Sequence, residues 1–397
     1  MKKFMILGAS VLQLPAIRQA KEMGLHVVAV DMDPNAVGFL EEGITKEVIS
    51  TIDVPAVVAA AKKHGVCGII TVASDMPMRS VAAVAKEMGL VGISDETAVK
   101  ATNKADMRMA FKEHGVAIPA FFRVSNEEEY AHAVSCLEDR FIVKPADNSG
   151  SRGIFLVEDK NDAQAVKAAY EYSRKYSRNG DVMVEEFMVG PEVSVELLAV
   201  KGVCHVLQIT DKITTGAPHF VEIGHSQPSR LPKETREAIK ELAIAAAKAV
   251  GIENGPGHAE IIVTGDGPKM VEIGARMGGG CITTHLVPLS TGIDMTGATI
   301  KTALGELPDI EPKIEMASAI RFILPKVGRI AEIDGVEEAR AVPGIVEVTV
   351  QCSVGQVTGA LESGANRLGY VIAQAKDPAR ALEICSEALS KIVIRME

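Results

Sequence analysis

Short apolar runs alternate with helix-period segments through the N-terminal part of the chain. Runs at 4–7, 26–30, 68–72 and 91–93 read as strands, and segments at 16–23, 55–64 and 78–88 as the helices between them. Uninterrupted apolar strands separated by amphipathic helices predict a parallel sheet covered on both faces, with ligands at the carboxyl ends of its strands. Past Ala98 the pattern changes to one long helix, 102–114, ended by Gly115 and Pro119. Strands at 120–124 and 140–144, a glycine-bearing loop at 147–153, a strand at 154–157, a polar helix at 162–177 and a strand at 182–187 follow. This block shows little apolar surface of its own and reads as a mobile lid.

Strands at 193–200 and 203–210 read as antiparallel, a helix covers 233–250, and a hairpin runs over 258–276. The tail alternates strands at 318–324, 345–350 and 369–375 with a closing helix at 378–390, and reads as a separate small α+β appendage. The expectation is therefore an α/β protein of three units, residues 1–100, 101–305 with the lid at about 122–188, and 306–397.

Composition narrows the function. With 42 Lys+Arg against 52 Asp+Glu, the formal charge of −10 repels nucleic acid and anionic lipid. Aromatic residues make up 4% with no Trp, which leaves little for base stacking. The six cysteines form no CxxC pair, so neither a zinc site nor a disulfide framework is expected, and the thiols suit a reducing cytoplasm. Gly8, Ser10 and Gln13 interrupt the first apolar run where a signal sequence would continue, and no stretch approaches the ~20 apolar residues of a membrane helix. A soluble protein without membrane or nucleic-acid partners is expected, with a homodimer as the default assembly.

Three features could carry chemistry. Lys144 ends an apolar strand at Pro145, just before the loop containing Ser149, Gly150, Ser151 and Gly153; a cation beside closely approaching backbone amides suits polyphosphate. Glu260 and Glu272 flank Gly265-Asp266-Gly267, and a three-residue turn centred on Asp266 would make them directly opposed cross-strand partners. Facing carboxylates repel, so Mg²⁺ or Mn²⁺ held by both and completed by phosphate oxygens is the economical reading, against a different turn length that would separate them. Arg276 ends the same strand before Gly278-Gly279-Gly280, where its guanidinium could hold a developing oxyanion, against the plainer reading of a surface ion pair. His219, His225, His258 and His285 lie near these elements and read as structural. Gly8-Ala9-Ser10 with Asp31 and Asp33 gives only a faint dinucleotide signal, since one glycine is not GxGxxG.

Lys104, Lys144-Pro145, the 147–153 loop, Glu185-Glu186-Phe187-Met188 with Gly190-Pro191-Glu192, and Glu260 with Glu272-Ile273-Gly274-Ala275-Arg276 resemble, in order and spacing, the ATP-grasp superfamily. Gly274 to Gly279 and the tail segments Arg321-Phe322-Ile323, Val342-Pro343-Gly344 and Arg367-Leu368-Gly369-Tyr370 look most like its L-amino-acid ligase branch. The resemblance implies an ATP-grasp fold: a parallel α/β pre-ATP-grasp domain, a lid, a larger antiparallel α+β domain and a small α+β C-terminal domain. It implies that Lys104 and Lys144 contact phosphates, that the loop with Ser149, Gly150, Ser151 and Gly153 covers them, and that Glu185, Glu186, Phe187 and Met188 hold adenine through the hinge backbone. Glu192 would accept the ribose hydroxyls, Glu260 and Glu272 would carry the metal, and Arg276 would stabilise the tetrahedral intermediate. Gly274 stands where the family often has Asn, which puts a third metal ligand in question.

The implied activity is an ATP-dependent carboxylate–amine ligase forming an amide through an acyl phosphate, with ATP, Mg²⁺ or Mn²⁺, and small-molecule acid and amine substrates. The alternatives are a purine-pathway or carboxylase-type enzyme of the same superfamily, a nucleotide-binding module without catalysis, and, as an outsider, a dehydrogenase.

Overall fold

A computed structural model describes residues 1–148 and 152–397. The chain begins with β1 (Lys3–Leu7), α1 (Leu14–Glu22), β2 (His26–Asp31), β3 (Thr45–Val48), α2 (Val54–His64), β4 (Ile69–Thr71) and α3 (Met78–Met88). All pairings are parallel, in the order β3-β2-β1-β4. The fourth strand is thus Thr45–Val48 and not 91–93. β3 lies at the sheet edge with alternating half-buried and exposed residues, so it lacks the apolar run of a central strand. Ile93 is buried but sits in a connection that leads to Ser94, whose side chain caps α4 (Asp95–Lys100) by accepting from the Thr97 amide.

The long helix expected over 102–114 is α5 (Lys104–Glu113), begun by Asn103, whose Oδ1 accepts from the amides of Ala105 and Asp106. The lid comes next in the chain: β5 (Phe121–Val124), α6 (Glu127–Cys136), β6 (Phe141–Pro145), β7 (Phe155–Val157), α7 (Ala163–Tyr176) and β8 (Val182–Glu186), with the antiparallel sheet ordered β5-β8-β6-β7. Helix α6 leaves no clear periodic signal in the sequence because its first turn is Glu127-Glu128-Glu129 and only Tyr130 and Ala133 are buried. Contrary to the expectation of little apolar surface, the lid has its own core, in which Phe141, Val143, Val157 and Val184 pack around Tyr130 stacked on Tyr170 at 4.7 Å.

Beyond the lid lie β9 (Glu192–Val200), β10 (Val203–Thr214), β11 (Glu222–Gln227), α8 (Lys233–Val250), β12 (Gly255–Thr264), β13 (Gly267–Gly274), α9 (Val287–Thr291) and α10 (Met295–Ala303). The tail adds β14 (Ala317–Ile323), β15 (Gly328–Asp334), α11 (Val336–Arg340), β16 (Ile345–Val350), β17 (Val357–Thr358), β18 (Gly369–Ala375), α12 (Pro378–Lys391) and β19 (Val393–Met396). One eight-stranded sheet runs β13-β12-β9-β10-β11-β14-β18-β16, and β17-β15-β19 form a smaller one. The tail is therefore not a separate appendage: β14 pairs with β11 from Ser318 opposite Gln227 to Arg321 opposite Gly224. The N-terminal sheet is equally joined to the larger domain. One of its faces packs Phe4 and Ile6 with Ile300 and Ala303 of α10, while the core on the other runs without a break into Phe111, Ile239 and Val195. An isolated parallel bridge, Val72 to Met277, brings the end of β4 beside the end of β13. Among the described residues no helix is long and apolar enough to cross a membrane.

Candidate functional site

The β12–β13 hairpin sets Glu260 directly opposite Glu272. The register arises differently from the sequence expectation. Thr264 pairs with Gly267, so the turn holds only Gly265 and Asp266, and a bulge at Val271 then shifts the ladder by one residue. Each carboxylate has its own lysine. Lys104 Nζ lies 2.9 Å from Glu272 and Lys212 Nζ 3.1 Å from Glu260. Lys212 also touches Glu192 at 2.5 Å and Glu222 at 3.6 Å, and its side chain is only 4% exposed. Burial alone would lower the Lys212 pKa, but Glu260, Glu192 and Glu222 outweigh it and hold the ammonium well above its ordinary value. Glu260 is held well below the ordinary carboxylate range against its own burial, by Lys212 and His258.

The donor chemistry fits a divalent cation: two hard oxygen donors face each other, with Glu192 close by through Lys212. Among the described residues no group of three His, Cys, Asp or Glu is placed to hold a metal ion, the three carboxylates around Lys212 being gathered by its ammonium.

Lys144 and Glu185 form the second part of the site. Glu185 lies opposite Ile142 on the β6–β8 ladder, and its side chain turns inward, 2% exposed. Arg108 of α5, fully buried, bonds both Glu185 oxygens at 3.0 Å, and Lys144 Nζ lies 2.7 Å from Oε2. Burial raises the Glu185 pKa, but Arg108 and Lys144 outweigh it and bring it down to about 2. Burial, with Arg108 and Lys104, lowers that of Lys144. The neighbouring hinge carboxylate, Glu186, accepts from Lys269 at 3.1 Å and the Ala120 amide at 3.1 Å. Phe187 lies 4.6 Å beneath the Arg140 guanidinium, and Met188 is half-buried. Of the loop candidates, Ser149, Gly150 and Ser151 lie outside the described residues. Gly153 has φ +80, and its carbonyl accepts from Ser173 Oγ at 2.7 Å.

Arg276 is not a loose surface cation. Its Nε and Nη2 bond the two oxygens of Asp75, at 2.8 and 3.0 Å, and the side chain is 11% exposed. Asp75 outweighs the burial and keeps the guanidinium charged. The pair also accounts for Gly274, since a Cβ there would sit 2.6 Å from Asp75 Oδ1 and 3.2 Å from Arg276 Nε. A cavity of about 400 Å³ opens beside them, lined by Asp75, Arg79, Lys104, Arg178 and Glu272 among others.

The N-terminal turn, by contrast, is closed on itself. The Ala9 amide donates to Asp31 Oδ2 at 2.8 Å, and the Ser10 amide and hydroxyl donate to Gln13 Oε1 at 3.1 and 2.7 Å. The histidines are unlike one another. His258 donates to buried Glu196 at 2.6 Å, which, against burial, lifts its pKa to about 9. Burial holds His225 down at about 4, and Cys281 with Glu347 outweighs burial at His285, raised to about 10. His219 is exposed.

Sequence reasoning missed Asp75, Arg108, Lys212 and Glu196. Each works through a partner 20 or more positions away, and separations of 201 residues for Asp75 and 77 for Arg108 leave no local pattern.

Residues 123–285 match the ATP-grasp domain family, and residues 321–397 match the L-amino acid ligase C-terminal domain 2. The L-arginine-specific L-amino acid ligase of Bacillus subtilis is 26% identical over 278 residues, covering 69% of this chain and 67% of that protein. The crystal structure of an L-amino acid ligase from Bacillus licheniformis superposes with a TM-score of 0.84 at 22% identity, over 100% of this chain and 99% of that one. Phosphoribosylglycinamide synthetase from Anaerococcus prevotii gives a TM-score of 0.82 at 24% identity over 100% of both chains.

Proposed function

We propose that this chain, whose residues 123–285 match the ATP-grasp domain family and whose residues 321–397 match the L-amino acid ligase C-terminal domain 2, is an ATP-dependent carboxylate–amine ligase acting on an amino acid. The observation that carries this reading is the opposed Glu260–Glu272 pair with Lys104 beside Glu272 and Arg276 just past the end of the same strand, Lys104, Glu272 and the Arg276 partner Asp75 all lining one cavity.

The substrate carboxylate attacks the γ-phosphorus of ATP, the bond to ADP breaks, and an acyl phosphate forms. An amine then adds to the acyl carbon, phosphate leaves, and the surplus amine proton goes to solvent. Neither step needs a side-chain nucleophile; both need positioning and charge neutralisation. Lys104 and Lys144 supply positive charge toward the phosphates, and the 147–153 loop covers them. The Glu185–Met188 backbone receives the adenine and Glu192 the ribose hydroxyls. Glu260 and Glu272 would hold Mg²⁺ or Mn²⁺, which supplies charge neutralisation on the phosphates when bound. Arg276, oriented by Asp75, stabilises the oxyanion of the tetrahedral intermediate.

An amino acid is favoured over a phosphorylated amine because the amides of Ala9 and Ser10 at the end of β1 are already taken by Asp31 and Gln13. Hydroxylamine trapping tests the intermediate. With ATP, Mg²⁺ and amino acids, hydroxamate should accumulate in step with ADP; ADP formed without hydroxamate or amide product would overturn the acyl-phosphate route.

A further inference from the structure

Each of the two opposed carboxylates is engaged by an ammonium from a different part of the chain. Lys104, in the first turn of α5, reaches Glu272 at 2.9 Å and donates from the same Nζ to the Asn148 carbonyl at 2.8 Å. Lys212, on β10, reaches Glu260 at 3.1 Å from within a nest of three carboxylates. Both opposed carboxylates thus have an ammonium partner without any metal ion, and Glu192 and Glu222 add negative charge around Lys212. Building on the nucleotide-site reading above, we propose that Lys104 and Lys212 are displaceable counter-ions, which make metal binding at Glu260 and Glu272 conditional on nucleotide.

The reasoning is one of charge and desolvation. A divalent cation entering alone must detach both lysines, whose side chains are 13% and 4% exposed, and leave them beside the cation that replaced them. Like charges that close in a poorly hydrated site repel strongly. A polyphosphate eases the conflict, because its oxygens neutralise the ammonium groups beside the metal, Lys104 gaining a new partner and Lys212 keeping Glu192 and Glu222, while the metal takes Glu260 and Glu272. Metal and nucleotide then bind with positive coupling, and by linkage each strengthens the other equally. Lys104 also carries the exchange to the lid, since the ammonium that leaves Glu272 is the one bonded to Asn148 at the head of the glycine-bearing loop. In these terms both lysines are positioning residues for the metal, whatever they later contact on the phosphates.

The test is the uptake of Mn²⁺ by the full-length protein, read from the loss of the free-ion signal in electron paramagnetic resonance, with and without a non-hydrolysable ATP analogue. Lys104→Met and Lys212→Met keep the apolar stem and remove the charge; the first is the more informative should the second, which strips three carboxylates of their cation, not fold. Wild-type protein should take up Mn²⁺ with the analogue and at least about tenfold more weakly without it, a ratio within the usual range of coupling between sites. The folded lysine variants should bind Mn²⁺ alone about tenfold more tightly than wild type, and adding Glu272→Gln to Lys104→Met should remove that gain. If wild type takes up Mn²⁺ with the analogue but neither variant gains affinity for Mn²⁺ alone, the counter-ion role is wrong and the nucleotide site stands. If wild type takes up no Mn²⁺ even with the analogue, the nucleotide-site reading falls and this inference with it.

Discussion

Asp75 and Arg276 meet in a two-point ion pair, Nε to Oδ1 at 2.8 Å and Nη2 to Oδ2 at 3.0 Å, although 201 positions separate them in the chain. The pair fixes a guanidinium against Asp75, which lines the cavity, and ties the segment just past β13 to the loop after β4. If Arg276 stabilises an oxyanion, its contact strengthens only as that charge develops. Arg276→Ala should then lower the ligation rate by about 100-fold or more, the usual cost of removing one such donor, with nucleotide affinity little changed. Asp75→Asn, which keeps one hydrogen bond and loses the charge, should cost less than Arg276→Ala. Calorimetry of nucleotide binding beside the ligation rate checks both; equal losses of the two quantities contradict the assignment.

Glu272→Gln should abolish phosphate release while the melting temperature holds. The amide can still accept from Lys104, and the cross-strand repulsion with Glu260 disappears, but the donor charge for a metal is gone. Retained wild-type release by the folded variant would exclude Glu272 from the metal site.

The Arg108–Glu185–Lys144 cluster makes a prediction about stability. Glu185→Gln leaves two buried cations without their anion and should cost about 3–5 kcal/mol in urea unfolding. Because the folded carboxyl titrates at about 2 against an ordinary 4.5, its contribution is complete above pH 4.5 and is lost as the pH falls toward 2. An unfolding free energy unchanged by Glu185→Gln at neutral pH would mean the three charges do not interact as drawn.

His258 has the opposite sign. Against burial, Glu196 and then Glu260 raise its pKa from 6.5 to about 9, so its contribution is complete below pH 6.5 and disappears as the pH rises through 9. Such a shift is worth on the order of 3 kcal/mol. Wild-type stability should therefore fall across that window, and in His258→Gln the same part of the decline should vanish. Parallel stability profiles for the two proteins between pH 6.5 and 9 would show that His258 is not held protonated by the fold.

How far the fold and the site are legible in the sequence depends on how local each signal is. The facing of Glu260 and Glu272 is legible because hairpin pairing follows from a short turn, yet the turn is one residue shorter than expected and the Val271 bulge makes up the difference. Helix α8 shows its observed bounds through its periodicity and Pro232 before it. The edge strand β3 does not, since Thr45 to Val48 has no continuous apolar run. Pro145 places Lys144 at a strand end, but not its pairing with Glu185, which depends on the ladder joining β6 to β8. Nothing local marks Lys212 or Asp75, whose importance comes from the segments packed against them.

The most direct test of the ligase assignment is phosphate and ADP release from purified protein with ATP and Mg²⁺, over a panel of amino acids supplied singly and in pairs, with products identified by mass. A ligase of this kind should release phosphate in proportion to an amide product, and that release should require an acid and an amine that both carry the amino-acid backbone. Release that no amino acid stimulates, together with strong stimulation by a phosphorylated ribosylamine, would contradict it.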